Sequence, residues 1–253
     1  MNNKNTIFAV FWRSFFLQAV WNFERLQNVG FVYGLLPFLR VLYPDPKERR
    51  DVVLRHIGFF NTHPYMAPII FGFVAYLEEE IREGKPVTPE AVLALKNNIA
   101  GPLAAIGDTF FWATWRPFTA LLAISIIIFL SRLQGFRAFW LLPVIFLVVY
   151  NAVHLPFRYW GIKISYRLRD RIVEIIADLE FQYAVDMVRF AGMILLGSVL
   201  VFYFWAFAGL FSERLMFFAV FASALVMGYF RWSPMVIFYG ILAFSIIGTF
   251  VKG

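Results

Sequence analysis

The chain has 253 residues, 61% of them hydrophobic and 32 of them phenylalanine, with a mean hydropathy of +0.70 and a formal charge of +7. Soluble domains run to about 45–50% apolar residues, so a water-soluble globule is excluded and the bilayer must be part of the solvent. The absence of cysteine excludes disulfides and thiolate metal sites, and basic residues scattered between apolar segments argue for loops facing anionic lipid rather than for a nucleic-acid surface.

Residues 1–98 read as amphipathic, re-entrant and cytoplasmic helices. The apolar stretches 7–23 and 28–43 are short and broken by Arg13, Asn22, Glu24, Arg25, Gly30, Gly34 and Pro37, and 64–77 is apolar but too short for a span. A crossing helix needs about 20 apolar residues. Arg13 and the lack of a small-residue cleavage site argue against a cleavable leader at 7–20. The charged stretches 45–56 and 78–96 are helix-like, with starts at Asp45-Pro46 and Thr88-Pro89 and a break at Gly84-Lys85-Pro86.

Residues 99–186 hold a broken-helix motif, a helical hairpin (110–130 and 136–157) and a basic segment at 158–186. Residues 187–253 hold the last spans, at 187–211, 215–230 and 234–251. The fold class is therefore all-α and polytopic, with about five spanning helices in the second half. The Lys and Arg clusters at 40–55 and 158–171 place those segments and the N-terminus in the cytoplasm and the C-terminus outside.

Two polar motifs sit within apolar sequence, where charge is costly. One is Trp21-Asn22-Phe23-Glu24-Arg25. The other runs from Asn98 to Trp112 and on to Trp115-Arg116-Pro117, with Gly101-Pro102 and Gly107-Asp108 expected to interrupt the helix. Carboxylates and amides bond sugar hydroxyls, and an aromatic ring covers the apolar face of a pyranose. Asn22, Glu24, Asn61, His63 and Asp108 are thus candidate sugar contacts, with Trp21, Trp112 and Arg116 behind them. Each has a structural alternative. Glu24 can pair with Arg25, Asp108 can cap the helix that follows, the Trp residues can form an interfacial belt, and Asn61-Thr62-His63-Pro64 can be a turn. His154 reads as a packed or interhelical residue, and the 158–171 run as an anchoring face. No phosphate-cradling loop, nucleophile elbow or metal spacing is present in the sequence, so no cofactor and no catalytic residue are expected.

Four stretches taken in order, AVWNFERLQNVGF (19–31), LYPDPKERRDVVLRHIGFFNTHPY (42–65), NIAGPLAAIGDTFFWATWRP (98–117) and RYWGIKISY (158–166), resemble the IID subunit of the mannose–fructose–sorbose family of the bacterial phosphotransferase system. The resemblance implies a subunit of the bacterial inner membrane that forms a hexose path with a separate IIC subunit. It further implies three IIC–IID pairs and an elevator-like movement. Cytoplasmic IIA and IIB would relay phosphate, and IIB would phosphorylate the sugar. Thr109 follows Asp108 where the family commonly has proline, and the long polar segment many members carry between later spans is reduced to Phe211–Arg214. A membrane scaffold that binds IIB-like partners through 158–171 without moving sugar is the rival reading. A membrane enzyme using Asp108 with Arg116 is a third.

Overall fold

The computed structural model describes residues 4–134, 139–178 and 181–207, together with residues 222, 235, 236, 239 and 240. Contacts divide the chain into a unit spanning Met1–Met193 and a second spanning Ile194–Gly253. Among the described residues all regular structure is helical: α1 (Lys4–Ser14), α2 (Asn28–Leu42), α3 (Pro46–His56), α4 (Ala67–Arg82), α5 (Pro89–Gly107), a π-helical stretch Asp108–Trp115, α6 (Arg116–Gln134), α7 (Leu142–Leu168), α8 (Arg171–Asp178) and α9 (Phe181–Phe207).

The starts of α3 and α5 follow from local chemistry. Asp45 is extended and accepts the Glu48 N–H at 3.1 Å, and Thr88 accepts the Ala91 N–H at 3.2 Å. In both helices proline occupies the first turn, where its missing N–H costs nothing. The core of the first unit is built from α2 and α4. Helix α2 buries Phe31, Leu35, Phe38 and Leu39, a spacing that puts them on one face. Helix α4 buries Ile70, Phe71, Phe73, Val74 and Ala75, so it is enclosed on all sides. Its contacts with α7 advance together along both helices (Ile69 against Gly161, Gly72 against Ser165, then Glu79 against Tyr166), so the two run parallel. At the crossing a Cβ on Gly72 would lie 2.2 Å from the Ile162 carbonyl oxygen, which reserves that position for glycine.

Among the described residues three helices are long and apolar enough to cross a membrane: Pro89–Ser131, Phe139–Leu168 and Phe181–Phe202. This is an all-helical membrane-protein fold, but several sequence-based boundaries need correction. The apolar stretch 64–77 and the start of the charged stretch 78–96 are one element, since α4 runs across both to Arg82 and its acids find partners inside the fold. The expected helix at 110 has no separate beginning, since α5 runs through Gly101-Pro102 and Gly107-Asp108 into the π stretch and α6. Pro102 is exposed on this helix, and its missing bond does not break it. Helix α7 extends past 157 to Leu168, ending where Arg169 adopts a φ of 55°. Helix α9 begins at Phe181 rather than 187. The expected spans 215–230 and 234–251 lie outside the described residues.

Candidate functional site

Three of the polar stretches in the first half fold onto one another. Asn22 and Leu26 exchange backbone bonds at 3.0 and 3.1 Å, and Leu26 sits at a φ of 54°, closing a tight turn. Phe60 lies alongside: Gln27 N–H donates to its carbonyl at 2.9 Å, and its own N–H donates to the Arg25 carbonyl at 3.3 Å. Gln27 is buried and reads the Thr62 backbone twice, its amide donating to the Thr62 carbonyl at 2.9 Å and accepting the Thr62 N–H at 3.0 Å. The Thr62 hydroxyl donates to the Ala100 carbonyl at 2.9 Å, which brings in the third stretch. A segment without regular structure is thereby held with its buried backbone groups satisfied.

This scaffold fixes His63 beside the π stretch. Its ring stacks on Phe111 with centroids 5.6 Å apart and meets Trp112 edge-on at 4.7 Å. Gly107 permits the approach, since a Cβ there would fall 2.3 Å from the imidazole. The Tyr65 N–H donates to His63 Nδ1 at 3.2 Å, so the neutral ring carries its proton on Nε2, which is buried and has no partner. Burial, then the nearby Arg158 guanidinium and His154, pushes His63 down to about 4. The π stretch itself has a cause. Pro117 supplies no N–H to the Ala113 carbonyl and its ring crowds that oxygen, so the preceding turn widens, and the Thr114 hydroxyl donates back to the Thr109 carbonyl at 2.8 Å. Wide turns of this kind recur at functional sites.

From α7, Tyr150, His154 and Arg158 project from one face at steps of four residues. Tyr65 stacks on His154 at 4.3 Å and accepts a hydrogen bond from the Tyr150 hydroxyl at 3.0 Å. Arg158 is 3% exposed, donates to the Ser14 hydroxyl at 2.8 Å, and lies over the rings of Phe15 (4.5 Å) and Tyr65 (4.9 Å). No carboxylate pairs with it among the described residues, and its Nε has no partner. The His154 Nδ1 is likewise buried and unpartnered. Gln18, Tyr65, Trp112, His154 and Arg158 line an open cleft of about 320 Å³.

Of the residues singled out from sequence, Trp112 lines this cleft and His63 packs against its lining through Trp112 and Tyr65. The others do not touch it through any hydrogen bond, ion pair or ring contact. Asn22 is half-buried and structural, donating to Asn28 Oδ1 at 2.9 Å and accepting the Arg25 N–H at 2.8 Å. Glu24 pairs with Arg25 at 3.1 Å on the surface, and Trp21 packs edge-on against Phe23. Asn61, Asp108 and Arg116 are exposed. Asp108 is helical, with φ −61° and ψ −45°, and caps nothing. Sequence reasoning missed Gln27, Tyr65 and Arg158. Arg158 was assigned to a cytoplasmic anchoring face; it is buried because α7 carries it four residues beyond His154 on the same side, and that spacing was the available signal.

A family model described as PTS system mannose/fructose/sorbose family IID component matches residues 2–204. The chain is 33% identical over 196 residues to the fructose permease IID component of Bacillus subtilis, covering 78% of this chain and 68% of that protein. It is 34% identical over 197 residues to the mannose-specific EIID component of Escherichia coli K12, covering 78% and 67%. Among solved structures, one described only as a membrane protein superposes with a TM-score of 0.72 at 28% identity, covering 98% of this chain and 96% of that one. The cryo-EM structure of the mannose transporter ManYZ with microcin E492 contains a chain that superposes with a TM-score of 0.59 at 26% identity, covering 98% and 97%.

Proposed function

The chain belongs to the mannose/fructose/sorbose IID family of the phosphotransferase system, and on that premise we propose that it forms, with a IIC membrane subunit, the path by which a hexose crosses the bacterial inner membrane to be phosphorylated by a cytoplasmic IIB subunit. IIA recharges IIB, and three IIC–IID pairs make up the assembly. About five helices cross the bilayer, with the N-terminus inside and the C-terminus outside. This chain contributes no catalytic group; its work is to bind, orient and pass the sugar.

The observation that carries this reading is the cleft whose lining residues His154 and Arg158 hold buried, unpartnered Nδ1 and Nε atoms, with His63, its Nε2 also unpartnered, packed behind the lining residues Tyr65 and Trp112. Buried polar groups are nearly always hydrogen-bonded, so such a cluster calls for a ligand that brings its own donors and acceptors. A hexose does so, and the exposed Trp112 indole and the Tyr65 ring offer apolar faces to its C–H surface. Asn22, Glu24, Asn61, Asp108, Trp21 and Arg116 are secondary candidates that act where IIC closes the path.

Hexose uptake and phosphorylation in cells lacking their own mannose-type transporter test this. Activity is expected only when this chain is expressed with its IIC, IIA and IIB partners. Uptake that proceeds without this chain, or a stable complex that moves no sugar, would overturn the reading in favour of a regulatory scaffold. His154→Ala and Trp112→Ala are each expected to weaken sugar binding about tenfold, the loss of roughly 1.4 kcal/mol, with the complex intact.

A further inference from the structure

A second cavity lies apart from the cleft. It is a groove of about 220 Å³ between α4, α5, α7 and α8, lined by Ile69, Leu103, Ile106, Trp160, Ile164 and Ile176 among others. Ser165 is the one polar side chain in its lining, and its hydroxyl is already bonded to the Gly161 and Ile162 carbonyls. Such a groove offers nothing to water or to a sugar, and left empty it loses its dispersion contacts.

The end of the groove is different. Lys163 holds its ammonium 4.7 Å above the Trp160 ring, and Trp160 and Ile164 are exposed at the groove lip. Arg167 follows Ile164 by three residues and Arg171 precedes Ile172, so both stand beside groove-lining positions. Both are exposed, and neither has an ion pair or hydrogen bond among the described residues. Helix α8 buries Ile172 and Ile176 and turns Arg171 and Glu174 outward, as a short helix lying in a membrane interface does. An aromatic ring at the headgroup level and long basic side chains reaching out of an apolar surface mark that boundary.

One class of molecule satisfies both halves at once. We propose that the groove between α4, α5, α7 and α8 is a binding site for a single anionic phospholipid, with an acyl chain along Ile69, Leu103 and Ile164 and the phosphate at Lys163, Arg167 and Arg171. Charge complementarity selects this occupant over a neutral lipid, because basic side chains at the mouth have no acidic partner and attract an anionic headgroup. The site is independent of the sugar cleft, and its occupancy does not depend on which hexose is carried.

The test is native mass spectrometry of this chain purified with its IIC subunit, exchanged into phosphatidylglycerol or into phosphatidylcholine with the same acyl chains. One tightly held phosphatidylglycerol per copy of this chain is expected, retained about tenfold better than phosphatidylcholine. Two variants keep the result interpretable. The triple change Lys163→Gln, Arg167→Gln and Arg171→Gln removes the headgroup contacts and should abolish the preference. Ile164→Trp fills the groove without altering charge and should displace the lipid. Equal retention of the two lipids overturns the proposal, as does an unchanged preference in the triple variant. Displacement by inorganic phosphate alone would reduce the site to a phosphate subsite without a lipid chain, and loss of IIB binding with no lipid effect would make the basic row a protein dock; either result overturns it. Sugar uptake measured on the same variants separates this outcome from failure of the transport reading.

Discussion

His56 Nε2 lies 2.9 Å from Glu78 Oε1, and both side chains are fully buried. Glu78 also accepts the Tyr43 hydroxyl at 2.8 Å on its other oxygen, and Arg55 approaches to 3.4 Å. The carboxylate therefore ties α3 and α4 to the residue that follows α2. Burial works to raise Glu78, but His56, Arg55 and Tyr43 together hold it below its usual 4.5. Burial, with the Lys96 and Arg55 cations, holds His56 below its usual 6.5 despite the carboxylate. The pair consists of an ionised acid and a neutral imidazole that donates Nε2–H and leaves Nδ1 unpartnered.

Removing the acid leaves Arg55 and the imidazole donor without a buried acceptor. Glu78→Ala is expected to destabilise the first unit by about 3 kcal/mol or more. Thermal unfolding of the purified IIC-bound protein in detergent would show it. A melting temperature within a degree of wild type would show that the pair contributes nothing.

Acid should destabilise the protein through the same groups. In each case the unfolded chain takes up a proton at higher pH than the fold does, so stability is full above about 6.5 and falls as pH drops. His56 and His63 contribute first, from 6.5 downward, with His63 reaching about 4; Glu78 adds its share below 4.5. Melting temperature measured from pH 8 to pH 4 should be flat and then decline, and Glu78→Gln should make the decline steeper, because it removes the carboxylate that helps His56 take up a proton in the fold.

Gln27→Ala removes both buried bonds to the Thr62 backbone. At about 1–3 kcal/mol for each unsatisfied group, a loss near 3 kcal/mol is expected, read as increased protease sensitivity of the 57–65 segment. Asn61→Ala, one residue away but exposed, should change stability by less than about 0.5 kcal/mol. A fall in sugar affinity with that variant would assign Asn61 to binding.

Gly107→Ala drives a methyl group into the His63 ring. A cost of about 1–3 kcal/mol is expected from the overpacking, together with a changed Trp112 fluorescence spectrum as its neighbour moves. Pro117→Ala acts oppositely. It restores the missing N–H, so the π stretch should tighten towards an α-helix, stability should rise, and sugar affinity should fall because Phe111 and Trp112 rotate relative to the cleft. Unaltered sugar binding would mean that the wide turn plays no part in the site.

The local signals in the sequence were readable where a side chain acts on its own backbone. Asp45-Pro46 and Thr88-Pro89 start helices as written, and α2 occupies the stretch its apolar residues mark. Long-range partners were not readable. Glu78, Glu79 and Glu80 look like a solvated run, yet Glu78 is buried on His56, Glu79 accepts a hydrogen bond from Tyr166, and Glu80 pairs with Lys85 at 2.6 Å. Helix α4 therefore joins the apolar stretch and the charged one into a single element. Gly101-Pro102 reads as a break because propensity penalises it, but Thr62 anchors the Ala100 carbonyl and the helix passes through. Of the candidate site, the sequence marked His63 and Trp112 as residue types out of place. It could not pair them with Tyr65, His154 and Arg158, which are brought in by the packing of α4 on α7.

The helical run from Pro89 to Ser131 contains 43 residues. At a rise of 1.5 Å per residue it is about 65 Å long, roughly twice the 30 Å depth of a bilayer's hydrocarbon layer. About half of it must therefore stand clear of the lipid tails. The half that begins at Pro89 carries Lys96, set over the rings of Phe31 and Phe60, and so is gripped by the core of the first unit. The remainder carries Trp112 and the cleft wall. A tilt of the membrane-embedded half is carried along the same helix into the gripped half, so that a displacement at the cleft is felt by the packed helices beyond it.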